Sequence, residues 1–291
     1  MYSKAFEILK QAKEENCKIS DIVLKNECKL AEASEQTIRD RVRAVLKVMQ
    51  DASEAAIKKE TTSLSGLIGG NAVKADKYRA TGNTVCGDTV NRAIARALSS
   101  SEINASMGRI AAMPTAGANG IVPAAVITAG EKLGVDEEAM IDALLTASGV
   151  GQIIKKNATL SGAEGGCQAE CGAAAAMAAA AVVEMYGGTP EMAFHAAAIA
   201  LKSVLGLVCD PVAGLVEVPC SKRNASGVVN AMASADMALA GITSAIPFDE
   251  VVDAMYKIGK VMPVSLRETA LGGLAATPTG QAIRCRLVDK K

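Results

Sequence analysis

Three cysteines in the second half of the chain have neighbours that would suit a metal ligand. Cys167 follows two glycines, Cys209 lies two residues before Pro211, and Cys220 directly follows Pro219. This pattern predicts a loop that meets a helix at each cysteine. A thiolate at a helix N-terminus is stabilised by the helix dipole, and the thiolate is the form that binds metals. We therefore treat the three as candidate metal ligands, with Cys167 best placed because an Ala-rich segment follows it.

Spacing alone leaves a second interpretation of these cysteines open. It matches neither zinc fingers nor ferredoxins, in which cysteines come in close pairs. A buried cysteine also packs well as a small hydrophobic residue, which is the role we expect for Cys17, Cys28 and Cys86. Cys171 lies one helical turn after Cys167, so it is either a fourth ligand or a core residue.

The chain has one histidine, His195, and the segment around it is apolar. A histidine in such a segment is more often a hydrogen-bonded core residue than a catalyst. A single histidine also disfavours Ser-His-Asp catalysis, Cys-His catalysis and a histidine-based zinc site. The sequence therefore assigns no general base.

A second candidate feature is the glycine-containing loop 114–120, which precedes an apolar stretch. Backbone N–H groups in such a loop, together with the positive end of the following helix, suit a carboxylate ligand. The same residues are equally consistent with an ordinary turn at the start of a helix. Both interpretations stand at this point.

These features need a scaffold, and the composition predicts a helical one. Ala is the most frequent residue, whereas the 291 residues include only four Tyr, three Phe and no Trp. Ala is the best helix former, and strands favour β-branched and aromatic residues. We therefore predict an all-α fold, a compact bundle of Ala-rich helices. Residues 1–60 form an N-terminal helical segment and 61–291 a catalytic domain, together one continuous globular unit.

Local signals place individual helices. Ser34 and Thr189 are predicted N-caps, and Asp136 stands at the start of another helix, where an acidic residue is favourable. We predict loop around short elements over 61–90 and a Gly, Thr and Pro tail over 272–280. The remaining predicted helices cover residues 89–99, 136–156, 173–185, 190–205, 225–240 and 249–260.

Charge and hydropathy exclude several classes of protein. The 31 basic and 31 acidic residues cancel, so no net field attracts nucleic acid or an anionic membrane. The longest apolar run, 173–183, is shorter than the roughly 20 residues that span a bilayer. The N-terminus has no apolar signal region. We expect a soluble cytoplasmic protein whose eight cysteines serve packing or metal binding rather than disulfides.

Several segments of the chain together resemble the iron–sulfur L-serine dehydratases. The resemblance runs from about residue 60 to 280 and is strongest over 161–225. The segments that carry it are Gly166–Glu170, Gly206–Gly214, Glu217–Asn224, Met107–Ile110, Pro114–Gly117 and Leu266–Gly273.

The resemblance implies a [4Fe–4S] cluster held by Cys167, Cys209 and Cys220, buried within the helical bundle. Three thiolates leave one iron open, and that iron is expected to act as a Lewis acid in the elimination of water from L-serine. The products are pyruvate and ammonia, without pyridoxal phosphate. In some family members a C-terminal cysteine folds back onto the open iron, and Cys285 is the candidate for that role.

The resemblance also implies a substrate site and a partner. The L-serine carboxylate is expected to bind a loop that contains Thr115, Ala116, Gly117, Asn119 and Gly120. Asn71 and Arg267, which lie outside this loop, are further expected contacts. Some family members are single chains, and others divide into a β chain and an α chain. This sequence begins directly in the catalytic part, so we expect an α chain that forms a hetero-oligomer with a β chain.

Two other functions remain open at this point. One is an iron–sulfur L-cysteine desulfidase, which would eliminate sulfide instead of water. The other is a non-enzymatic helical protein whose cysteines only pack. The surroundings of Cys167 fit both enzymes, whereas the segment Val208–Asn224 and the division into two chains favour the dehydratase. Either enzyme would be brown and oxygen-labile, and the non-enzymatic protein colourless.

Overall fold

The computed structural model describes residues 2–288 of the chain, and over this range the fold is all-α, as predicted. The described residues form thirteen α-helices and no β-strand. Their bounds are α1 Ala5–Glu15, α2 Ile19–Ala31, α3 Glu35–Lys58, α4 Asn71–Ala80, α5 Gly87–Ala105, α6 Ile121–Leu133, α7 Glu137–Asn157, α8 Gly162–Gly165, α9 Ala173–Met185, α10 Pro190–Lys202, α11 Cys220–Leu239, α12 Phe248–Val261 and α13 Pro278–Val288.

Helix α9 lies at the centre of the bundle. Nearly every residue of α9 is buried, and α6, α7, α10 and α11 all pack against it. An alanine side chain is a single methyl group, so neighbouring helices can approach α9 closely from several sides. The Ala-rich composition therefore produces a central helix with no exposed face, as expected for a helix that is apolar all round.

The predicted helix starts are confirmed by their capping hydrogen bonds. The Ser34 hydroxyl accepts from the backbone N–H of Thr37 at 3.2 Å, and the Thr189 hydroxyl accepts from Met192 at 3.3 Å. Asp136 caps α7 by accepting from the backbone N–H of Ala139 at 2.9 Å. Each bond satisfies a donor that the first helical turn leaves free.

Four predicted boundaries are wrong. Helix α5 continues to Ala105 rather than ending at 99, because its polar residues 99–102 are buried against neighbouring helices instead of ending the helix at the surface. Helix α10 ends at Lys202 rather than Leu205, because the chain then turns towards Gly206, which has a positive φ of 85°. Helix α11 begins at Cys220, five residues before the predicted start. The predicted tail over 272–280 contains the start of α13, where the Thr277 hydroxyl accepts from the backbone N–H of Gly280. A Thr-Pro pair opens α13, the same signal that opens α10.

The N-terminal helices share one hydrophobic core with the rest of the described chain. Buried side chains such as Ile8 and Leu46 belong to the same cluster as Val150 and Met255. Glu184, near the end of α9, accepts a hydrogen bond from the backbone N–H of Ile19 at 2.8 Å, at the start of α2. Among the described residues, no helix combines the length and hydropathy needed to cross a membrane.

Candidate metal and substrate site

The three candidate ligands come from three different elements. Cys167 directly precedes a π-helical turn, Gln168–Gly172, that leads into α9, and Cys220 is the first residue of α11. Cys209 does not start a helix, which corrects the prediction for this residue. It lies in an extended segment, where its N–H donates to Leu266 O at 2.9 Å and its C=O accepts from the N–H of Glu268 at 2.7 Å.

Gln168 holds the Cys167 turn against the segment that carries Cys209. Its side chain is fully buried, and its Oε1 accepts from the backbone N–H of Gly206 at 2.9 Å. Its backbone N–H donates to Leu207 O at 3.0 Å, and its Nε2 donates to Met255 O at 3.0 Å. Sequence analysis gave Gln168 no role, although it lies inside the motif Gly166–Glu170.

Burial sets the protonation of the cysteines. It raises the pKa of Cys220 to about 12, and it is also the main cause that raises the pKa of Cys209, together with the nearby charges of Glu170, Cys167 and Cys220. Cys167 differs: a hydrogen bond with Cys171 and the charge of Arg223 lower its pKa. Direct contacts join the three cysteine-bearing segments: Glu170, three residues after Cys167, lies 3.9 Å from the Sγ of Cys209, and Arg223, three residues after Cys220, donates to Val208 O at 2.8 Å.

The buried thiols of Cys167 and Cys209 are donors of the kind that an iron–sulfur group uses. Over residues 2–288, no three His, Cys, Asp or Glu side chains converge on a point where they would bind one metal ion. In a four-iron cluster each thiolate binds a different iron, so its ligands need not converge in that way. Buried thiols are also the soft donors that iron–sulfur clusters use, and they must lose their protons when they bind.

Arg223 connects two of the cysteine-bearing segments. It stands three residues after Cys220 in α11, donates to Val208 O at 2.8 Å and forms an ion pair with Asp210 at 2.9 Å. Asp210 is almost fully buried, and its Oδ2 accepts from the backbone N–H of Leu274 at 2.7 Å. This chain of polar contacts fixes the extended segment around Cys209 between α11 and the 264–276 region.

Asn224 ties the predicted substrate loop to the same helix. Its Oδ1 accepts from the backbone N–H of Gly120 at 2.8 Å, and its Nδ2 donates to Gly117 O and Cys220 O at 2.8 and 2.9 Å. The Gly120 N–H therefore already donates to a side chain of this chain. The loop contains a turn, Ala116–Ala118, and leads into α6, as the sequence analysis predicted. Asn224 places the loop beside Cys220.

Glu170 stands between the substrate loop and Cys209, a position that sequence analysis missed. Its Oε2 lies 3.9 Å from the Sγ of Cys209. A Cβ added at Gly117 would lie 3.1 Å from both of its carboxylate oxygens. Burial raises the pKa of Glu170, and the neighbouring hydroxyl of Thr115 lowers it by a smaller amount. Thr115 Oγ1 itself makes no hydrogen bond of regular geometry within residues 2–288. The position of Glu170, three residues after Cys167 in the sequence, was the signal that could have identified it as a site residue.

Three predicted substrate residues carry buried polar atoms that lack a hydrogen-bond partner within residues 2–288. They are Oγ1 of Thr115, Oδ1 of Asn119 and Nε of Arg267. Asn119 is 2% exposed, and Arg267 lies in the segment that pairs with Cys209 through the backbone. Buried polar atoms are normally satisfied, so these three are available to a ligand.

The remaining candidates lie further from this arrangement. Asn71 begins α4, where its backbone N–H donates to the fully buried carboxylate of Glu102 at 2.6 Å. Cys285 is exposed on α13. His195 Nδ1 accepts from the backbone N–H of Ser244 at 3.2 Å, which is the structural role favoured by its apolar segment.

Comparisons with known proteins show which proteins this chain is similar to. The family model described as "Serine dehydratase alpha chain" matches residues 14–275. The chain is 51% identical over 284 residues to the "L-serine dehydratase, alpha chain" of Peptoniphilus asaccharolyticus, covering 98% of this chain and 97% of that protein. It is 50% identical to the "Probable L-serine dehydratase, alpha chain" of Bacillus subtilis, covering 99% and 95%. It is 38% identical to "L-serine dehydratase 2" of Escherichia coli, covering 94% of this chain but 61% of that protein.

Proposed function

The chain belongs to the serine dehydratase alpha chain family, and on that basis we propose that it is the catalytic chain of an L-serine dehydratase. In this reaction L-serine loses water across its Cα–Cβ bond, and the resulting aminoacrylate tautomerises and hydrolyses to pyruvate and ammonia. The observation that carries the proposal is the set of contacts that joins the segments of Cys167, Cys209 and Cys220 beside a loop suited to a carboxylate.

We propose that these three cysteines hold a [4Fe–4S] cluster. When bound through three thiolates, such a cluster has one iron open to substrate and supplies a Lewis acid. The burial of Cys167 and Cys209 supports this assignment, since water would otherwise reach the group. Gln168 and Arg223 hold the segments of these ligands together, so their side chains act as positioning residues.

The substrate carboxylate is proposed to bind the loop that Asn224 ties to α11. Thr115, Ala116, Gly117, Asn119 and Gly120 form this loop, and its position next to Cys220 would bring L-serine towards the thiols. Arg267 supplies a positive charge and a free buried donor on the opposite segment. Asn71 is a more distant candidate. The Glu170 carboxylate faces the same space from the Cys167 turn.

The proposed partner is a β chain. Relatives that this chain covers almost end to end are named alpha chains, whereas the Escherichia coli L-serine dehydratase has more than a third of its length outside the match. A separate chain would supply the corresponding part in a hetero-oligomer. A cytoplasmic location and a role for Cys285 as a further cluster ligand stay predictions.

The test is iron and acid-labile sulfide analysis of anaerobically purified chain, followed by assay with its β chain and without pyridoxal phosphate. We expect four irons per chain and pyruvate formation from L-serine. Cys167→Ser, Cys209→Ser and Cys220→Ser should each lower iron content and abolish activity, because each removes a ligand. Cys28→Ser, outside the site, is the matched control.

Two results would contradict the proposal. Iron-free, colourless protein would support a packing role for the cysteines. Sulfide release from L-cysteine that exceeds pyruvate formation from L-serine would instead identify a desulfidase.

A further inference from the structure

Cys167 and Cys171 form a close pair of thiols. Their Sγ atoms lie 3.4 Å apart, and the side chains are only 3% and 4% exposed. The two residues lie four positions apart across the π-helical turn, so their side chains face the same side. Cys171 has no place among the three proposed ligands, and its proximity to one of them needs a separate explanation.

We propose that Cys171 is a resolving thiol for Cys167: in the metal-free chain, a peroxide oxidises this pair to a disulfide. The disulfide would keep Cys167 in a form from which reduction restores the thiol, so that a cluster can then be loaded. The biological meaning of this inference rests on the proposed function, since Cys167 is taken as a cluster ligand. The oxidation itself does not depend on that function.

The geometry favours Cys171 over the other cysteines as the partner. A disulfide has an S–S length of about 2.05 Å, so the two Sγ atoms need to approach by only about 1.3 Å from their 3.4 Å separation. Cys209 and Cys220 belong to other elements, and neither makes a sulfur–sulfur contact with Cys167 in the described structure. Both members of the Cys171 pair belong to one turn and already touch, so no other element has to move towards Cys167.

The reaction takes two steps. The Cys167 sulfur loses its proton and attacks one oxygen of hydrogen peroxide; the O–O bond breaks, the leaving hydroxide takes up that proton as water, and a sulfenic acid forms. The Cys171 sulfur then attacks the sulfenic sulfur, the S–O bond breaks, and the departing hydroxide takes the Cys171 proton as water. Overall, two thiols lose two electrons, and one peroxide becomes two waters.

Without a resolving thiol, the sulfenic acid would proceed to sulfinic and sulfonic acids. A sulfonic acid is irreversible, and a sulfinic acid is irreversible for nearly all proteins. A lost Cys167 would leave only two of the three proposed ligands. Cys171 therefore protects the capacity of the metal-free chain to be reloaded.

The sequence allows a direct test by peptide mass. No Lys or Arg lies between Asn157 and Lys202, so trypsin places Cys167 and Cys171 on one peptide that contains no other cysteine. The full-length chain, freed of metal by chelation, is treated with one equivalent of hydrogen peroxide, alkylated and digested without reduction. We expect peptide 157–202 to lose about 2 Da and to resist alkylation, and dithiothreitol to restore two alkylation sites.

Two variants sharpen the test. With peroxide raised to three equivalents for every protein, because each added oxygen consumes one peroxide, Cys171→Ser should gain two or three oxygens at Cys167. After reduction it should reload less iron than the wild type. Cys86→Ser, which removes an exposed cysteine just before α5, should behave as the wild type. Peptide 157–202 alkylated at both cysteines after peroxide treatment, or joined to a peptide with Cys209 or Cys220, would overturn the inference. Because these readouts are masses, they also decide it if the chain binds no cluster.

Discussion

Two carboxylates, the half-buried Glu170 and the buried Glu184, lie at the two ends of the Ala-rich helix, and their surroundings differ. Glu170 is in the turn before α9, and Glu184 is near the end of α9; burial is the main cause that raises the pKa of each. Glu184 accepts hydrogen bonds from the backbone N–H of Ile19 at 2.8 Å and from the Thr146 hydroxyl at 2.7 Å. Within residues 2–288, Glu170 has no comparable donors: its contacts are the Cys209 thiol and the Thr115 hydroxyl.

The difference separates a structural carboxylate from one that belongs to a site. Burial of a polar group costs free energy unless hydrogen bonds compensate it, and Glu184 has that compensation. Its partners join α2 and α7 to α9, so it stabilises the fold. Glu170 keeps unused acceptor capacity next to the proposed substrate loop, where a ligand would complete its contacts.

The largest expected effect is loss of activity in Glu170→Gln. The substitution keeps the size of the side chain but removes its charge beside the substrate loop and Cys209. We expect kcat to fall by roughly 100-fold, or about 2.7 kcal/mol. Iron content and the midpoint of thermal unfolding should stay within error of the wild type. If kcat does not change, Glu170 has no role in the reaction and resembles Glu184 in being only structural.

Glu184→Ala should have the opposite signature. It leaves the backbone N–H groups at the start of α2 and the Thr146 hydroxyl without their acceptor. Loss of this acceptor is expected to lower the free energy of unfolding by about 2 kcal/mol, measured by urea denaturation. Activity per folded molecule should not change. Glu191→Ala, an exposed glutamate on α10, is the control and should leave both quantities as they are.

A smaller effect is expected from Asn224→Ala. This substitution removes the hydrogen bonds that hold Gly117 and Gly120 against α11. Movement of the substrate loop should lower kcat/KM for L-serine by roughly tenfold, about 1.4 kcal/mol, mainly through a higher KM. Asn230→Ala, on the same helix, removes a bond donated to Ala200 O and one accepted from the Ser234 hydroxyl, neither of them to the loop, and should keep KM unchanged. Equal effects of both variants would show that α11, rather than the loop contact, is what matters.

The smallest effect is a pH dependence of stability at Glu184. Burial raises the pKa of Glu184 above its ordinary value of 4.5, so the folded chain holds this proton more tightly than the unfolded chain. The stabilisation is complete below about pH 4.5 and is lost as the pH rises through the folded pKa. The free energy of unfolding of the wild type should therefore fall relative to Glu184→Gln as the pH increases. A constant difference between the two proteins from pH 4.5 to 8 would refute this.

Local sequence signals predicted the helical part of the fold well. The N-caps at Ser34 and Thr189 and the central helix over 173–185 follow from capping chemistry and Ala content, which act within a few residues. The wrong predictions have long-range causes or overlooked signals. Cys209 was expected at a helix start, but its segment is extended because it pairs with Leu266 and Glu268, far along the chain. The Thr-Pro signal of α13 was local and was overlooked.

The sequence by itself determined the all-α fold and the motifs that resemble a family with an iron–sulfur site. Those properties depend on residue types and short spacings, which the chain carries whatever its fold. Only the tertiary structure decided which polar groups are satisfied. Glu170 and Glu184 both flank one Ala-rich stretch, yet the donors around Glu184 come from α2 and α7, at distant positions in the sequence. The packing of the helices places such donors beside Glu184 but not beside Glu170, and short sequence spacings do not encode this difference.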